Sequence, residues 1–115
     1  MADSIFTRII NREIPSDIVY EDDRVISFKD IKPAAPLHLL VVPKDPQYRN
    51  VVELAAADPD LLAHIVATGE RLANELGDGD FRLIFNSGAK AGQTVFHVHA
   101  HVLSGGLEEA SLATN

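Results

Sequence analysis

Near the start of the chain the apolar residues Ile5, Phe6, Ile9 and Ile10 recur at helical spacing. Asp3 or Ser4 can cap this segment and Pro15 halts it, which predicts a short amphipathic helix. The period then drops to two. Ile18–Tyr20 and Arg24–Phe28 read as the strands of a hairpin turned by the acidic run Glu21–Asp23. Beyond the proline-punctuated DIKPAAP loop, LHLLVVP is a β-branched run that ends at Pro43 and fits a central strand. The stretch KDPQYRNVVELAAA has no decisive period. Asp58 followed by Pro59 starts a second helix and Gly77 stops it, with Leu61, Leu62, Ile65, Val66, Leu72, Ala73 and Leu76 forming one apolar stripe between them. DFRLIFN and TVFHVHAHVL add two strands joined by the SGAKAG loop. About five strands and two helices with mostly hairpin-length connections predict an antiparallel sheet carrying helices, an α+β domain.

Length and composition narrow the setting. The 115 residues suit a single domain spanning 1–115, and 46% hydrophobic with 23% charged residues is an ordinary globular balance. Seventeen acidic against ten basic residues leave a net charge of −7, which disfavours non-specific attraction to nucleic acid or an anionic membrane. A phosphate ligand then has to be held by local donors. With no cysteine, disulfides and thiolate zinc sites are excluded. Asp3, Arg8, Arg12 and Glu13 interrupt the first fifteen residues where a secretory signal needs an apolar segment, and the apolar run around Leu37–Val42 is too short to span a bilayer. A cytoplasmic protein is expected.

The candidate chemistry lies in HVHAHV, residues 97–102, which holds three of the five histidines. On a strand, His97, His99 and His101 project to one side and Phe96, Val98, Ala100 and Val102 to the other. A helix would turn His99 about 200° from His97. Neighbouring Cα atoms of the trio would be about 6.5–7 Å apart, close enough for the rings to converge on one ligand group. A lone strand histidine is ordinarily a structural residue, but three polar rings on one face need more partners than a core supplies. Two chemistries fit. The His-x-His spacing can ligate Zn²⁺, or one neutral imidazole can attack phosphorus while a neighbour supplies a proton. Crowded imidazoles resist protonation together, which divides those roles.

The run HVHAHVL resembles the signature of the histidine triad (HIT) family. Its flanks, IFTRIINREIPSDIVYEDDRVISFKDIKPAAPLHLLVVPK and FRLIFNSGAKAGQTVFHVHAHVLSGG, are similar to the histidine-triad nucleotide-binding branch over about nine tenths of the chain. The resemblance implies a HIT-like α+β fold whose sheet extends across a homodimer. It also implies hydrolysis of purine nucleoside 5′-phosphoramidates and related adenylates through a nucleotidyl-histidine, with a purine nucleotide such as AMP or GMP bound and no cofactor required. Zinc on the triad is the less favoured chemistry. A nucleotide-binding scaffold or signalling protein with slow hydrolysis is the alternative in a different functional class.

Carried over residue by residue, the resemblance makes His99 the nucleophile. His101 becomes the phosphate-holding acid, His97 a support and His38 a fourth histidine that orients the cluster. It sets Asp30 against the ribose hydroxyls and Phe6, Ile9, Phe28, Ile31 and Leu40 around the base. Asn86, Gly92, Gln93 and Thr94 fall in the phosphate loop. His64 matches nothing functional and reads as a solvated helix residue. The ending LEEASLATN departs from the Trp- and Pro-containing terminus of animal relatives, and KDPQYRN departs from their Lys/His-containing turn.

Overall fold

The computed structural model describes residues 4–109; Asp3, the alternative helix cap, lies outside them. Within this range the elements run α1 (Ile5–Ile10), β1 (Ile18–Glu21), β2 (Val25–Lys29), β3 (Leu37–Pro43), α2 (Val51–Ala57), α3 (Pro59–Leu76), β4 (Arg82–Ile84) and β5 (Ala100–Ser104). A single 3₁₀ turn, Ala89–Ala91, sits between the last two strands. The strands form one five-stranded sheet in the order β1-β2-β3-β5-β4, every neighbouring pair antiparallel. No helix among these residues is long and apolar enough to cross a membrane.

Both faces of the sheet are covered, which is why β3 reads as a continuous apolar run rather than an alternating one. Leu39 and Val41 pack with Leu54 of α2 and Leu61, Ile65 and Leu72 of α3, together with Val98, Ala100 and Val102. Leu40 and Val42 face the other way, against Ile26 and Phe28 of β2 and Phe6 and Ile9 of α1. Burying each of those two α1 side chains stabilises on the order of 1.5–3 kcal/mol. That burial holds a helix of 6 residues, too short to persist alone. Where α3 crosses β5, a Cβ on Gly69 would stand 3.2 Å from Val102 Cγ2, so the smallest residue permits the approach.

Two differences from the sequence reading have local causes. The structure has a third helix, α2, inside the stretch that shows no period. Asn50 caps it by accepting from Glu53 N–H at 3.0 Å, while Glu53 Oε1 accepts from the N–H of Arg49, the residue before the cap. Asp58 then ends α2 and caps α3 through Leu61 N–H, with Pro59 at the first helical position. The last strand begins at Ala100, not at Thr94. Its register with β3 runs from Leu37↔Ser104 to Val41↔Ala100, and Pro43, at the end of β3, has no N–H to extend the ladder. Residues 94–99 are tied instead to the connection after β3, with Val98 N–H donating to the Tyr48 carbonyl at 2.9 Å. β4 is likewise shorter than DFRLIFN.

Candidate active site

The three triad rings share the α1 side of the sheet. Phe6 meets the ring edges of His97 and His99 with centroids 5.9 and 4.8 Å apart, and His99 and His101 lie 5.1 Å apart. Val98, Ala100 and Val102 point the opposite way into the helical core. Phe96 breaks the alternation and is half exposed, because the chain has left the sheet there.

Hydrogen-bond partners fix the state of each ring, since a carbonyl can only accept and an amide N–H can only donate. His97 Nε2–H donates to the Pro43 carbonyl at 2.7 Å, and Nδ1 accepts from the Ser4 hydroxyl at 2.8 Å. Ser4 in turn caps α1 by accepting from Thr7 N–H at 3.0 Å. His97 is therefore a clip joining the first turn of α1 to the end of β3, with both nitrogens engaged. His99 Nδ1–H donates to the His97 carbonyl at 2.9 Å, which leaves the lone pair on Nε2, an atom with no hydrogen bond to the described residues.

The other pair is wired in the opposite sense. Ala34 N–H donates to His38 Nδ1 at 2.9 Å, so His38 carries its hydrogen on Nε2 and donates to His101 Nδ1 at 3.0 Å. His101 then carries its hydrogen on Nε2, and that buried atom has no partner among the described residues. A backbone amide thus sets one tautomer, which sets the next. A hydrogen-bond acceptor seated in the cleft would meet a donor already aimed and unspent.

Burial pushes all four imidazoles below their ordinary range. For His97 and His99 the Pro43 and His97 carbonyls oppose that shift, and for His38 the Asp30 carboxylate does. His101 is pushed down to about 4, by burial first and then by the charges of His99 and His38. In the free protein at neutral pH the cluster is neutral.

His99 and His101 end a cleft of about 320 Å³, within the range of small-ligand pockets. Its walls include Phe6, Ile9, Phe28, Ile31 and Leu40, and its polar groups include Asp30, Thr94 and the backbone at Gly92. Ile31 is 89% exposed, so this isoleucine belongs to the cleft mouth and not to the core. Asp30 is held by Lys32 N–H on Oδ1 at 2.8 Å, while Oδ2 lies 3.4 Å from His38 Nε2. Gly92 adopts φ 97°, the left-handed conformation that favours glycine. The cleft also takes in Ile14, Pro15, Ser16, Lys29, Lys32 and Val95, which bare sequence gave no reason to choose. A larger groove of 810 Å³ runs past Ser4, Arg49 and Phe96, but its one histidine is His97.

Two expectations need correction. Gln93 does not line the cleft: it is buried, accepting from Gly88 N–H at 2.9 Å and donating to the Arg49 and Val95 carbonyls at 2.6 and 3.0 Å. It fastens the loop whose backbone does line the cleft. Asn86 is half-buried in the connection after β4. His64 is not a solvated bystander, because its Nε2 lies 2.7 Å from Asp22 Oδ2 and joins α3 to the β1–β2 turn.

Asp30, His38 and His101 bring three potential ligand atoms within 4.8 Å of one another, so the zinc alternative has to be tested against the donors. It fits poorly. His38 Nε2 carries a hydrogen, because Ala34 N–H occupies Nδ1, and a metal needs the bare nitrogen. His97 has no nitrogen to spare.

Residues 3–114 match the family described as scavenger mRNA decapping enzyme C-term binding. A HIT-like protein from Synechocystis sp. is 50% identical over 107 residues, 90% of each chain. The chain belongs to the histidine triad (HIT) family. Among solved structures, a HIT family hydrolase from Clostridium thermocellum superposes with a TM-score of 0.86 at 41% identity, covering 100% of this chain and 97% of that one. A histidine triad nucleotide-binding protein from Candida albicans gives 0.78 at 29% identity, with 98% and 87% covered. HIT membership and a HIT fold follow, and the chain is like proteins that include a hydrolase.

Proposed function

We infer that the protein hydrolyses purine nucleoside 5′-phosphoramidates and related adenylates, with His99 carrying the nucleotidyl group between two in-line displacements. The observation that carries this reading is the opposite wiring of adjacent rings: His99 keeps a lone pair on Nε2 and His101 keeps a hydrogen on Nε2. One side of the cleft is thus suited to attack and the other to donation. The apolar walls suit a purine, and Asp30 suits the ribose hydroxyls. Thr94 and the Gly92 backbone suit the phosphate.

In the first displacement the Nε2 pair of His99 forms a bond to phosphorus. The phosphorus–nitrogen bond breaks with its electron pair on the amine nitrogen, and that nitrogen takes a proton from the imidazolium form of His101. Binding of an anionic phosphate beside Nε2–H favours that form. In the second displacement water attacks phosphorus, its proton passes to neutral His101, and the pair returns to His99 as the nucleotide leaves. The His97 carbonyl on Nδ1–H stabilises the cationic ring of the intermediate. The same reading has two copies joined through their sheets, acting in the cytoplasm.

Stereochemistry at phosphorus tests it. Two inversions give net retention, so a chiral adenosine phosphorothioamidate hydrolysed in ¹⁸O-water should yield the retained product. Inversion would mean direct attack by water and no nucleotidyl-His99.

A further inference from the structure

The acid step raises a problem that the hydrogen-bond wiring itself defines. His101 already carries a hydrogen on Nε2, so a second proton has to go to Nδ1. There it faces the His38 Nε2–H across 3.0 Å. Two donors in opposition at that distance lose a hydrogen bond and gain a repulsion. His38 cannot escape by moving its hydrogen to Nδ1, because Ala34 N–H points at that atom from 2.9 Å. It has to keep Nε2–H and aim it elsewhere. The acceptor within reach is Asp30 Oδ2, 3.4 Å from His38 Nε2.

We propose that Asp30 is a positioning residue for proton delivery, taking the His38 hydrogen and supplying the counter-charge when His101 becomes an imidazolium, independently of any contact with ribose. This rests on the phosphoramidase reading above. The local structure is built for the task. Lys32 N–H fixes Oδ1 and so presents Oδ2 to the ring. The Asp30 side chain is 14% exposed and that of His38 fully buried, so the charge is poorly screened by water. Among the described residues, the other charged or titratable groups around the pair are His99, beside His101, and Lys29 and Lys32 on the cleft wall.

Asp30→Asn is an informative variant. Its carbonyl oxygen would take the Lys32 N–H, which turns the NH₂ group toward His38 and offers a donor where an acceptor is needed. Two leaving groups are compared, an alkylamine that needs a proton and an activated phenol that does not, each on adenosine and on 2′,3′-dideoxyadenosine 5′-phosphate. The expected result is a kcat loss of about 10²-fold on the alkylamine substrates, under about fivefold on the phenol esters, with KM for the dideoxy substrates little changed. The amine loss persists without ribose hydroxyls. The high-pH limb of amine turnover moves to lower pH, because the protonated pair is harder to hold. An equal loss on both leaving groups, or a loss that vanishes with dideoxy substrates, overturns the proposal in favour of ribose binding alone. Imidazole ¹⁵N shifts of the wild-type protein with AMP bound test the same point without a substitution: His38 must keep its hydrogen on Nε2 as His101 protonates, and a hydrogen found on Nδ1 refutes it. Failure of the underlying reading is distinguishable, since His99→Ala would then still turn over the phenol ester.

Discussion

Two histidine–carboxylate pairs sit on different sides of this small sheet and do different things. His64 and Asp22 meet at 2.7 Å where α3 crosses the β1–β2 turn. Asp22 also accepts from Tyr20 hydroxyl and from the N–H groups of Arg24 and Val25, each at 2.8 Å. Four donors fill its capacity. His38 and Asp30 are 3.4 Å apart beneath the cleft, and the ring that follows them, His101, ends in a donor with no partner among the described residues. A saturated pair stabilises the fold, and a chain of hydrogen bonds that stops one partner short is left ready for a ligand. Residue type alone does not separate these cases; the count of partners does.

The sharpest way to break the comparison is to remove the ring with the free lone pair. His99→Ala should lower turnover about 10⁴-fold or more while leaving the thermal midpoint nearly unchanged, measured on an adenosine phosphoramidate and by calorimetry. His101→Ala should cost about 10²- to 10⁴-fold on amine leaving groups and much less on activated phenols; equal losses would remove it from proton delivery. His97→Ala shifts the burden from chemistry to stability. It strands the Pro43 carbonyl and the Ser4 hydroxyl, and should cost about 2–3 kcal/mol in chemical denaturation.

The smallest effect belongs to the saturated pair. His64→Ala should keep turnover within about twofold and lose about 1–2 kcal/mol of stability. Asp22 supplies a pH signature as well. Burial tends to raise its pKa, but the backbone donors of Arg24 and Val25, then Tyr20 and His64, more than reverse this and hold it well below the usual carboxylate range. A depressed folded-state value means stability that is present above the unfolded value of about 3.9 and lost as pH falls below it. The stability gap between wild type and Asp22→Ala should therefore be widest near neutrality and close in acid.

Much of this was legible in the chain. The hairpin, the one-sided histidine run and the Leu61, Ile65, Leu72 and Ala73 part of the α3 stripe follow from periodicity, whereas Val66 and Leu76 of that stripe are exposed; the reading of His38 and Asp30 follows from resemblance. What was hidden depends on partners distant in sequence. Ser4 and His97 are 93 positions apart, so nothing local marks the serine as the holder of a triad ring. The cap of α2, Asn50, stands before two valines, a weak helical start. The truncation of β5 follows from Pro43 once the register is known, and register is not written in either strand. Gln93 reads as a ligand because the GQT stretch resembles the family's phosphate loop, yet its long side chain turns inward to fasten that loop. The same applies to His64, whose partner is 42 positions away.

The central claim is a covalent bond between the nucleotide and one imidazole. Rapid acid-free quenching during turnover of an adenosine phosphoramidate, followed by peptide mapping by mass spectrometry, reads it directly. The account predicts an adenylyl group on His99, stable to base and labile to acid, that disappears as substrate is exhausted. Full turnover with no adduct, or with the adduct on His38, His97 or His101, would contradict it.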